Sequence, residues 1–280
     1  MKDHSAEIRR GQRFEFGANW ARFLKRLTPE RIATAEQSLK RTLGVETLKC
    51  RRFLDIGSGS GLFSLAAYRL GAIVHSFDYD PLSVACTREL RQRYCSDDQN
   101  WKVEQGSVLD QEYLRDLGEF DIVYSWGVLH HTGALWTALA NAARCVAPRG
   151  ILFIAIYNDQ GRQSRRWLAI KRLYNRLPRT LRSLYAGAIV GLVQARYLVG
   201  ATLSGRLLAY IRDELNYDSR NLRGMSFWRD KVDWIGGYPF EVAKPEKIFR
   251  FLRDRGFTLK ALKTCAGGYG CNEFVFERCE

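Results

Sequence analysis

The segment that most constrains this chain runs from Phe53 to Phe63 and carries three glycines at alternate positions, Gly57, Gly59 and Gly61. A short apolar run typical of a strand precedes the glycines, and a helical pattern follows them. Glycine permits a tight turn and lets a ligand approach the backbone, while the first turn of a helix offers free N–H groups. The segment therefore predicts a strand, a ligand-binding turn and a helix.

Strand and helix patterns alternate from residue 51 to residue 158, and a last helix and a strand hairpin follow in residues 243–280. Repeated strand–helix units give a parallel sheet with helices on both faces. We therefore predict an α/β fold, with a mostly parallel, doubly wound sheet, a C-terminal antiparallel hairpin and a largely helical insertion. The predicted strands are Arg52–Ile56, Ile73–Phe77, Trp101–Gln105, Phe120–Ser125, Ile151–Tyr157, Thr258–Thr264 and Glu273–Arg278.

Four segments follow from this pattern. Residues 1–50 form a helical lead-in and a flap over the ligand, and residues 51–158 form the core. Residues 159–242, roughly 80 in number and too many for a plain connection, form a helical insertion that acts as a lid. Residues 243–280 complete the core.

Two carboxylates decide which ligand suits the turn. The usual dinucleotide pattern has a third glycine where Leu62 stands here, and Asp55 lies two residues before Gly57. A carboxylate there disfavours an anionic pyrophosphate and suits a ligand that carries an ammonium and a sulfonium. Asp78 follows the next predicted strand, about 20 residues after Gly57, where it can accept both hydroxyls of a ribose.

This D-x-G-x-G-x-G segment, followed by Asp78, resembles the first motifs of the class I S-adenosylmethionine-dependent methyltransferases. The resemblance implies S-adenosyl-L-methionine as cofactor, with the Gly106–Asp110 loop at the adenine and the end of the fourth strand beneath the methionine part. Carried onto this sequence, the cofactor contacts are Asp55, Gly57, Ser58, Gly59, Gly61, Asp78, Tyr79, Ser107, Val108, Asp110, Ser125 and Trp126.

The N-terminal segment adds a second likeness. Leu27–Ile32 resembles the helix start that precedes the core in ubiquinone-pathway O-methyltransferases, which implies that Arg31 reaches the methionine carboxylate. The aromatic segment Phe16–Trp20 is a candidate flap over the cofactor. An equally simple interpretation is that these are a charge on a helix face and ordinary packing aromatics.

Candidates for the acceptor side follow the fourth and fifth strands. His131, in a Val-Leu-His-His run with His130, has the pKa range of a general base, and Tyr157 and Asp159 lie at the sheet edge where ligands bind. We therefore take His131, Tyr157 and Asp159 as the candidate catalytic residues. In a second interpretation the histidines only hold the loop, and Asp159 suits a turn equally well.

The insertion begins with a basic amphipathic pattern. No acidic residue occurs from Gln160 to Ser183, and apolar residues recur at helical spacing. Such a helix suits an anionic membrane surface or an anionic ligand, or else packs on the sheet with its basic side in water. Leu184–Ile211 is largely apolar but interrupted by Arg196 and Arg206, which predicts a helical hairpin over the acceptor and not a spanning helix. Asn221–Tyr238, rich in aromatic groups, either stacks on a flat acceptor or anchors the insertion.

Composition and charge limit the partners, metal sites and cellular location that we expect. The formal net charge of +14 favours acidic partners, although an Arg-rich solvated surface explains it equally well. Seven cysteines without a C-x-x-C pair predict reduced thiols and no metal site. With no signal-peptide pattern in the first 25 residues, we expect a cytoplasmic protein, with peripheral membrane contact as an added alternative.

The sequence therefore favours methyl transfer to a small-molecule acceptor, at an oxygen of a hydrophobic or anionic metabolite. A tRNA or rRNA methyltransferase is the second interpretation, supported by charge alone, because no RNA-binding module is apparent and Tyr157-Asn-Asp does not match an Asn-Pro-Pro-Tyr tetrad. A non-catalytic S-adenosylmethionine-binding regulator is the third. The pattern leaves the acceptor and the oligomeric state open.

Overall fold

The computed structural model describes residues 4–95, 99–215 and 227–280. Three helices precede the first strand: α1 (His4–Arg9), α2 (Gly17–Leu24) and α3 (Pro29–Leu43). Pro29 lies in the first turn of α3, and Gly44 ends the helix with a left-handed φ of 67°. Both ends of this helix are therefore set by local residues.

A seven-stranded sheet forms the centre, with strand order β3-β2-β1-β4-β5-β7-β6. Strands β1 to β5 are parallel, and β7 runs antiparallel between β5 and β6. The predicted fold class is confirmed. The strands are β1 (Arg52–Ile56), β2 (Ile73–Asp78), β3 (Trp101–Gln105), β4 (Phe120–Trp126), β5 (Val146–Tyr157), β6 (Phe257–Lys263) and β7 (Cys271–Arg278).

Helices cover both faces of this sheet. The core helices are α4 (Leu62–Arg69), α5 (Pro81–Tyr94), α6 (Gln111–Leu117), α7 (Leu135–Arg144) and, after the insertion, α12 (Pro245–Arg253), with a short 3₁₀ turn at Leu129–His131. The side chain of Asp80 caps α5 by accepting the backbone N–H of Leu82 at 2.9 Å.

Successive residues of the central strands face opposite layers of the core. Leu54, Val123 and Leu152 lie side by side on β1, β4 and β5 and belong to one apolar cluster. Phe53 and Tyr124, each one residue away, belong to the cluster on the other face. This double burial explains why these strands are nearly continuous apolar runs.

The insertion is helical, as predicted. It contains α8 (Arg162–Arg176), α9 (Arg179–Leu203), α10 (Leu207–Leu215) and α11 (Phe227–Gly236). The aromatic segment predicted over Asn221–Tyr238 is described only from Phe227 onward, and its earlier residues lie outside the described residues. The described helices pack around a third apolar cluster that includes Phe14, Trp167, Tyr174 and Ile235.

Helix α9 differs from its prediction. The sequence interpretation treats Arg196 and Arg206 as interruptions, but the helix runs unbroken for 25 residues and ends before Arg206. By length and composition it is long and apolar enough to cross a membrane, and only 6% of its most apolar window is buried. The hairpin turn falls at residues 204–206, and α10 returns along α9, with Tyr210 Oη donating to Gln194 Oε1 at 3.2 Å.

Candidate functional site

The glycine turn lies at the carboxyl end of β1, where the strand order reverses between β1 and β4. Gly57, Gly59 and Gly61 have φ values of 79°, 56° and 79°, which side chains rarely adopt. A Cβ on Gly57 would lie 2.4 Å from Val128, and a Cβ on Gly59 would lie 3.0 Å from the Trp20 ring. Only glycine therefore leaves this turn open to a ligand at those two positions. We call the turn formed by Gly57, Gly59 and Gly61 the glycine cradle.

Two carboxyl groups flank the cradle, the buried Asp55 and the half-buried Asp78. Asp78 accepts the backbone N–H groups of Gly59 at 3.0 Å and Asp80 at 2.9 Å, and Asp55 accepts the Ser64 hydroxyl. Burial raises the pKa of Asp55 to about 7, against the Ser64 hydrogen bond. Burial likewise raises the pKa of Asp78 to about 6, against its two backbone hydrogen bonds. A donor-rich or cationic ligand would stabilise both charged forms.

The loop after β3 forms the next part of the wall. Asp110 caps α6 by accepting the N–H of Tyr113 at 3.1 Å, and Ser107 accepts the N–H of Leu109 at 3.2 Å. Both residues, together with Val108, border the same cavity as the glycine turn. Tyr79 borders it as well, so the predicted adenine and ribose residues lie together.

The remaining predicted cofactor residues divide into two groups. Arg31 and Trp126 border the cavity, although Arg31 donates to the Arg26 carbonyl oxygen at 2.7 Å. Trp126 donates its indole N–H to Glu273 of β7 at 3.1 Å. Ser125 and Gly61 lie off the cavity wall: Ser125 is buried and donates to the Ile56 carbonyl at 3.1 Å, and Gly61 begins α4.

The aromatic N-terminal segment covers the turn. Trp20 lies against Gly59, and the Gly17 N–H donates to the Asp80 carboxylate at 2.8 Å. Phe16 packs against His131 with ring centres 4.9 Å apart. The segment thus spans the cavity from the glycine turn to His131, and its role as a flap stays a prediction.

Arg13, which the sequence analysis does not single out, contacts both Tyr79 and His131. Its guanidinium lies 4.8 Å from the centre of the Tyr79 ring and pairs with Glu7 at 2.7 Å. It also donates to the His131 carbonyl oxygen at 3.0 Å. Because His131 is 118 residues away in sequence, no local spacing reveals this link.

His131 borders the cavity at some distance along it from the glycine turn, and its ring has a defined tautomer. Its Nδ1 lies 2.6 Å from the Pro239 carbonyl oxygen and so carries the proton, which leaves Nε2 as the acceptor in the neutral ring. Burial lowers the pKa of His131 to about 3, with further lowering by Lys171 and Arg13. His130 is fully buried behind it, and burial lowers its pKa well below the ordinary value. Both imidazoles are therefore neutral at physiological pH.

An aromatic group forms the wall beside His131. The Tyr157 ring lies 3.9 Å from the His130 ring, 5.3 Å from Trp234 and 5.5 Å from Phe240, measured between centres. Tyr157, Trp234 and His131 border the cavity. Asp159 does not: it accepts the Gly161 N–H at 2.8 Å and shapes the turn before α8.

All of these walls enclose one continuous cavity of about 1410 Å³. One end holds the glycine turn and Asp78, and the other is bordered by α9 and α11, where Val190, Val193 and Trp234 contribute. Among the described residues, no group of three or more His, Cys, Asp or Glu side chains is placed to hold a metal ion, and the seven cysteines are free thiols.

The sheet order, the glycine cradle at its reversal point and Asp78 define a class I methyltransferase, and comparison with known proteins identifies the family. A model described as "Methyltransferase domain" matches residues 10–191. The chain therefore belongs to this methyltransferase family. The family confirms the resemblance stated from the sequence and the prediction of S-adenosyl-L-methionine as cofactor, and the open cradle beside the two carboxyl groups fits that ligand.

Curated relatives and solved structures agree with this family. A ubiquinone biosynthesis O-methyltransferase of Azorhizobium caulinodans is 30% identical over 143 residues, covering 48% of this chain and 53% of the relative. Its counterpart in Methylobacterium sp. is 28% identical over 214 residues, covering 70% and 72%. The chain thus spans about half the length of several curated relatives that it matches.

Among solved structures, magnesium protoporphyrin IX methyltransferase from Synechocystis with bound S-adenosylhomocysteine has a TM-score of 0.50 at 14% identity, covering 88% of this chain and 83% of that one. An O-methyltransferase family protein from Burkholderia thailandensis also has a TM-score of 0.50, at 12% identity, covering 89% and 57%. At such identities the likeness establishes the shared fold.

Proposed function

We propose that this protein transfers the methyl group of S-adenosylmethionine to an oxygen of a hydrophobic small molecule. The observation that carries the proposal is the single cavity that joins the glycine turn and Asp78 to an aromatic and aliphatic chamber walled by the insertion. The O-methyltransferase names of the curated relatives favour oxygen as the methylated atom. A hydrophobic acceptor fits the chamber because Val190, Val193 and Trp234 border it.

The cofactor supplies an electrophilic methyl group on a sulfonium, so much of the rate can come from positioning and from exclusion of water. In this proposal Asp78 accepts the ribose hydroxyls, Asp55 supports the positive end of the ligand, and Arg31 reaches the carboxylate. The glycine turn, with Ser58, Tyr79, Ser107, Val108, Asp110 and Trp126, surrounds the rest. Phe16 and Trp20 exclude water from above.

His131 orients the acceptor hydroxyl in this proposal, with Tyr157 as the wall behind it. The imidazole is a neutral hydrogen-bond acceptor at Nε2, because Nδ1–H is held by Pro239. A pKa of about 3 makes stable storage of the acceptor proton on this ring unfavourable beside Arg13 and Lys171. We therefore give His131 a positioning role, and the proton that the acceptor hydroxyl loses on methylation would pass to water. Asp159 is left as a turn residue without a part in the reaction.

Peripheral contact with an anionic membrane and a cytoplasmic, membrane-adjacent location belong to the same proposal. They are supported by a hydrophobic chamber that lies beneath an exposed apolar helix.

The test offers the protein S-adenosylmethionine with a radiolabelled methyl group, together with a lipid extract or total RNA from the source cell. Label in the organic extract, absent with Asp78→Asn, would support the proposal. Label in RNA, with salt-sensitive RNA binding, would favour the nucleic-acid interpretation. Tight S-adenosylhomocysteine binding without label in either pool would favour a regulator.

A further inference from the structure

Helix α9 has an outer face that no described part of the protein covers. Leu184, Leu192 and Leu203 on this helix are 74%, 69% and 84% exposed, and Leu208 at the start of α10 is 83% exposed. These are the four most exposed large apolar side chains among the described residues. Together with the exposed Leu181 and Val199 they form a continuous stripe at helical spacing.

The inner face of the same helix belongs to the acceptor chamber. Ile189, Val190, Val193 and Tyr197 border the cavity, and Ala186 is buried against the insertion. Thus α9 separates the chamber from the surroundings by the thickness of one helix, and it is apolar on both sides. An ordinary lid helix would place polar groups on its outer face.

The charges around the stripe are mostly basic, and the acidic residues of the described hairpin, Asp213 and Glu214, come at the end of α10. From Gln160 to Arg212 the sequence contains no acidic residue, and Arg196, Arg206 and Arg212 are exposed on the α9–α10 hairpin itself. An apolar stripe bordered by arginines matches a surface that is apolar inside and anionic at its boundary. The surface of a water-soluble acidic protein could pair with the arginines, but it would not bury the exposed leucines.

We infer that the outer face of the α9–α10 hairpin docks into the interface of an anionic membrane. The helix lies in the plane of the membrane instead of crossing it, because its inner face packs against the insertion and lines the cavity. In this position an acceptor with an apolar tail passes from the bilayer along α9 into the chamber. Docking specifies the membrane contact of the proposed function by naming the face that makes it, and the passage of the acceptor rests also on the proposed methyl transfer.

The test measures sedimentation of the full chain with vesicles of phosphatidylcholine alone or mixed with phosphatidylglycerol. We expect binding to the mixed vesicles that weakens as salt is added. The double variant Leu192→Gln/Leu203→Gln should bind them at least about tenfold more weakly. The matched control Ile73→Gln/Leu262→Gln changes two exposed apolar residues elsewhere and should bind like the wild type.

A second variant, Arg196→Gln/Arg206→Gln/Arg212→Gln, changes only exposed charges. Its binding to the mixed vesicles should depend less on salt than that of the wild type. Calorimetry with S-adenosylhomocysteine checks that each variant is folded, and it tests the methyltransferase site separately. Failure of the wild type to bind mixed vesicles, or equal binding by the leucine variant, would overturn the inference. A concentration-dependent dimer that the leucine variant abolishes would assign the stripe to a second copy of the chain and overturn it as well.

Discussion

Lys171 Nζ lies 4.4 Å from the centre of the Trp234 ring and 4.7 Å from that of Phe240, and it donates to the Trp234 carbonyl oxygen. The two ring faces favour its charged form, whereas complete burial disfavours it and lowers its pKa to about 7. Asp233 opposes this lowering. The lysine ties α8 to α11 directly behind the cavity wall that Trp234 and Tyr157 form.

This arrangement predicts an unusual pH dependence of stability. Because the pKa of Lys171 is lower in the folded state, the unfolded chain binds more protons between about pH 7 and the ordinary lysine pKa of 10.5. The free energy of unfolding should therefore gain a contribution that rises with pH across that window, by up to about 1.4 kcal/mol per pH unit. Urea titrations of the wild type and Lys171→Met should show this rise only in the wild type. Identical slopes would contradict the assignment.

Asp78 should control cofactor affinity. Asp78→Asn removes a charged acceptor of the ribose hydroxyls, so S-adenosylhomocysteine should bind about 1.5–3 kcal/mol more weakly, or roughly 10- to 100-fold. Since the pKa of Asp78 is raised to about 6, wild-type affinity should also fall as the pH drops through 6. Calorimetry gives both values, with the exposed Asp116→Asn as control. Equal affinity for NAD would contradict the class of site.

Gly57 and Gly118 provide a matched pair for testing the cradle. Both have a left-handed φ, 79° and 75°, but a Cβ would meet Val128 at 2.4 Å at the first and nothing within 4 Å at the second. Gly118, with ψ of −154°, lies in a backbone region that is essentially restricted to glycine, so Gly118→Ala should lose about 1–3 kcal/mol of stability through backbone strain and keep its affinity for S-adenosylhomocysteine. Gly57→Ala should lose more stability and most of its affinity. Thermal unfolding with and without S-adenosylhomocysteine distinguishes the two variants. If both variants keep the same stabilisation by the ligand, the ligand does not approach closely at Gly57.

Substitution of His131 should lower the rate of methyl transfer. The rate of the wild type should nevertheless not follow the titration of a histidine. With the acceptor found by the labelling experiment, His131→Gln should lower kcat by less than about 100-fold, at the low end of general acid–base effects. The wild-type rate should show no inflection near pH 6.5 from this ring, because its pKa is about 3. A steep rise in rate between pH 5 and 7.5 that disappears in the variant would instead identify His131 as a general base.

The core could be predicted from the sequence because local signals fix its elements. Pro29 and Gly44 mark the ends of α3, and the predicted strands Arg52–Ile56 and Trp101–Gln105 are confirmed to the residue. The glycine turn and Asp78 come together because parallel strands end at one sheet edge. Tertiary contacts decide the remaining site residues, which is why Ser125 turns to the Ile56 carbonyl and away from the cavity.

The insertion shows where a basic amphipathic pattern misleads, because a basic residue of α8 need not be exposed. Lys171 is fully buried. Trp167, Lys171 and Tyr174 follow one another at helical spacing and share the buried face, whereas Leu173 is 48% exposed. A helical projection contains this signal, but the rings of Trp234 and Phe240 that receive the ammonium lie more than sixty residues away.

The place of β7 between β5 and β6 has a consequence for synthesis of the protein on the ribosome. Until residues 271–278 have emerged, β5 has an unpaired edge and Trp126 lacks its Glu273 partner. A nascent chain that already contains the whole glycine turn and the insertion therefore still has an incomplete sheet, with an apolar edge available to other chains. We expect premature termination in this hairpin to yield aggregates instead of a weaker enzyme, because β5 would keep its unpaired edge.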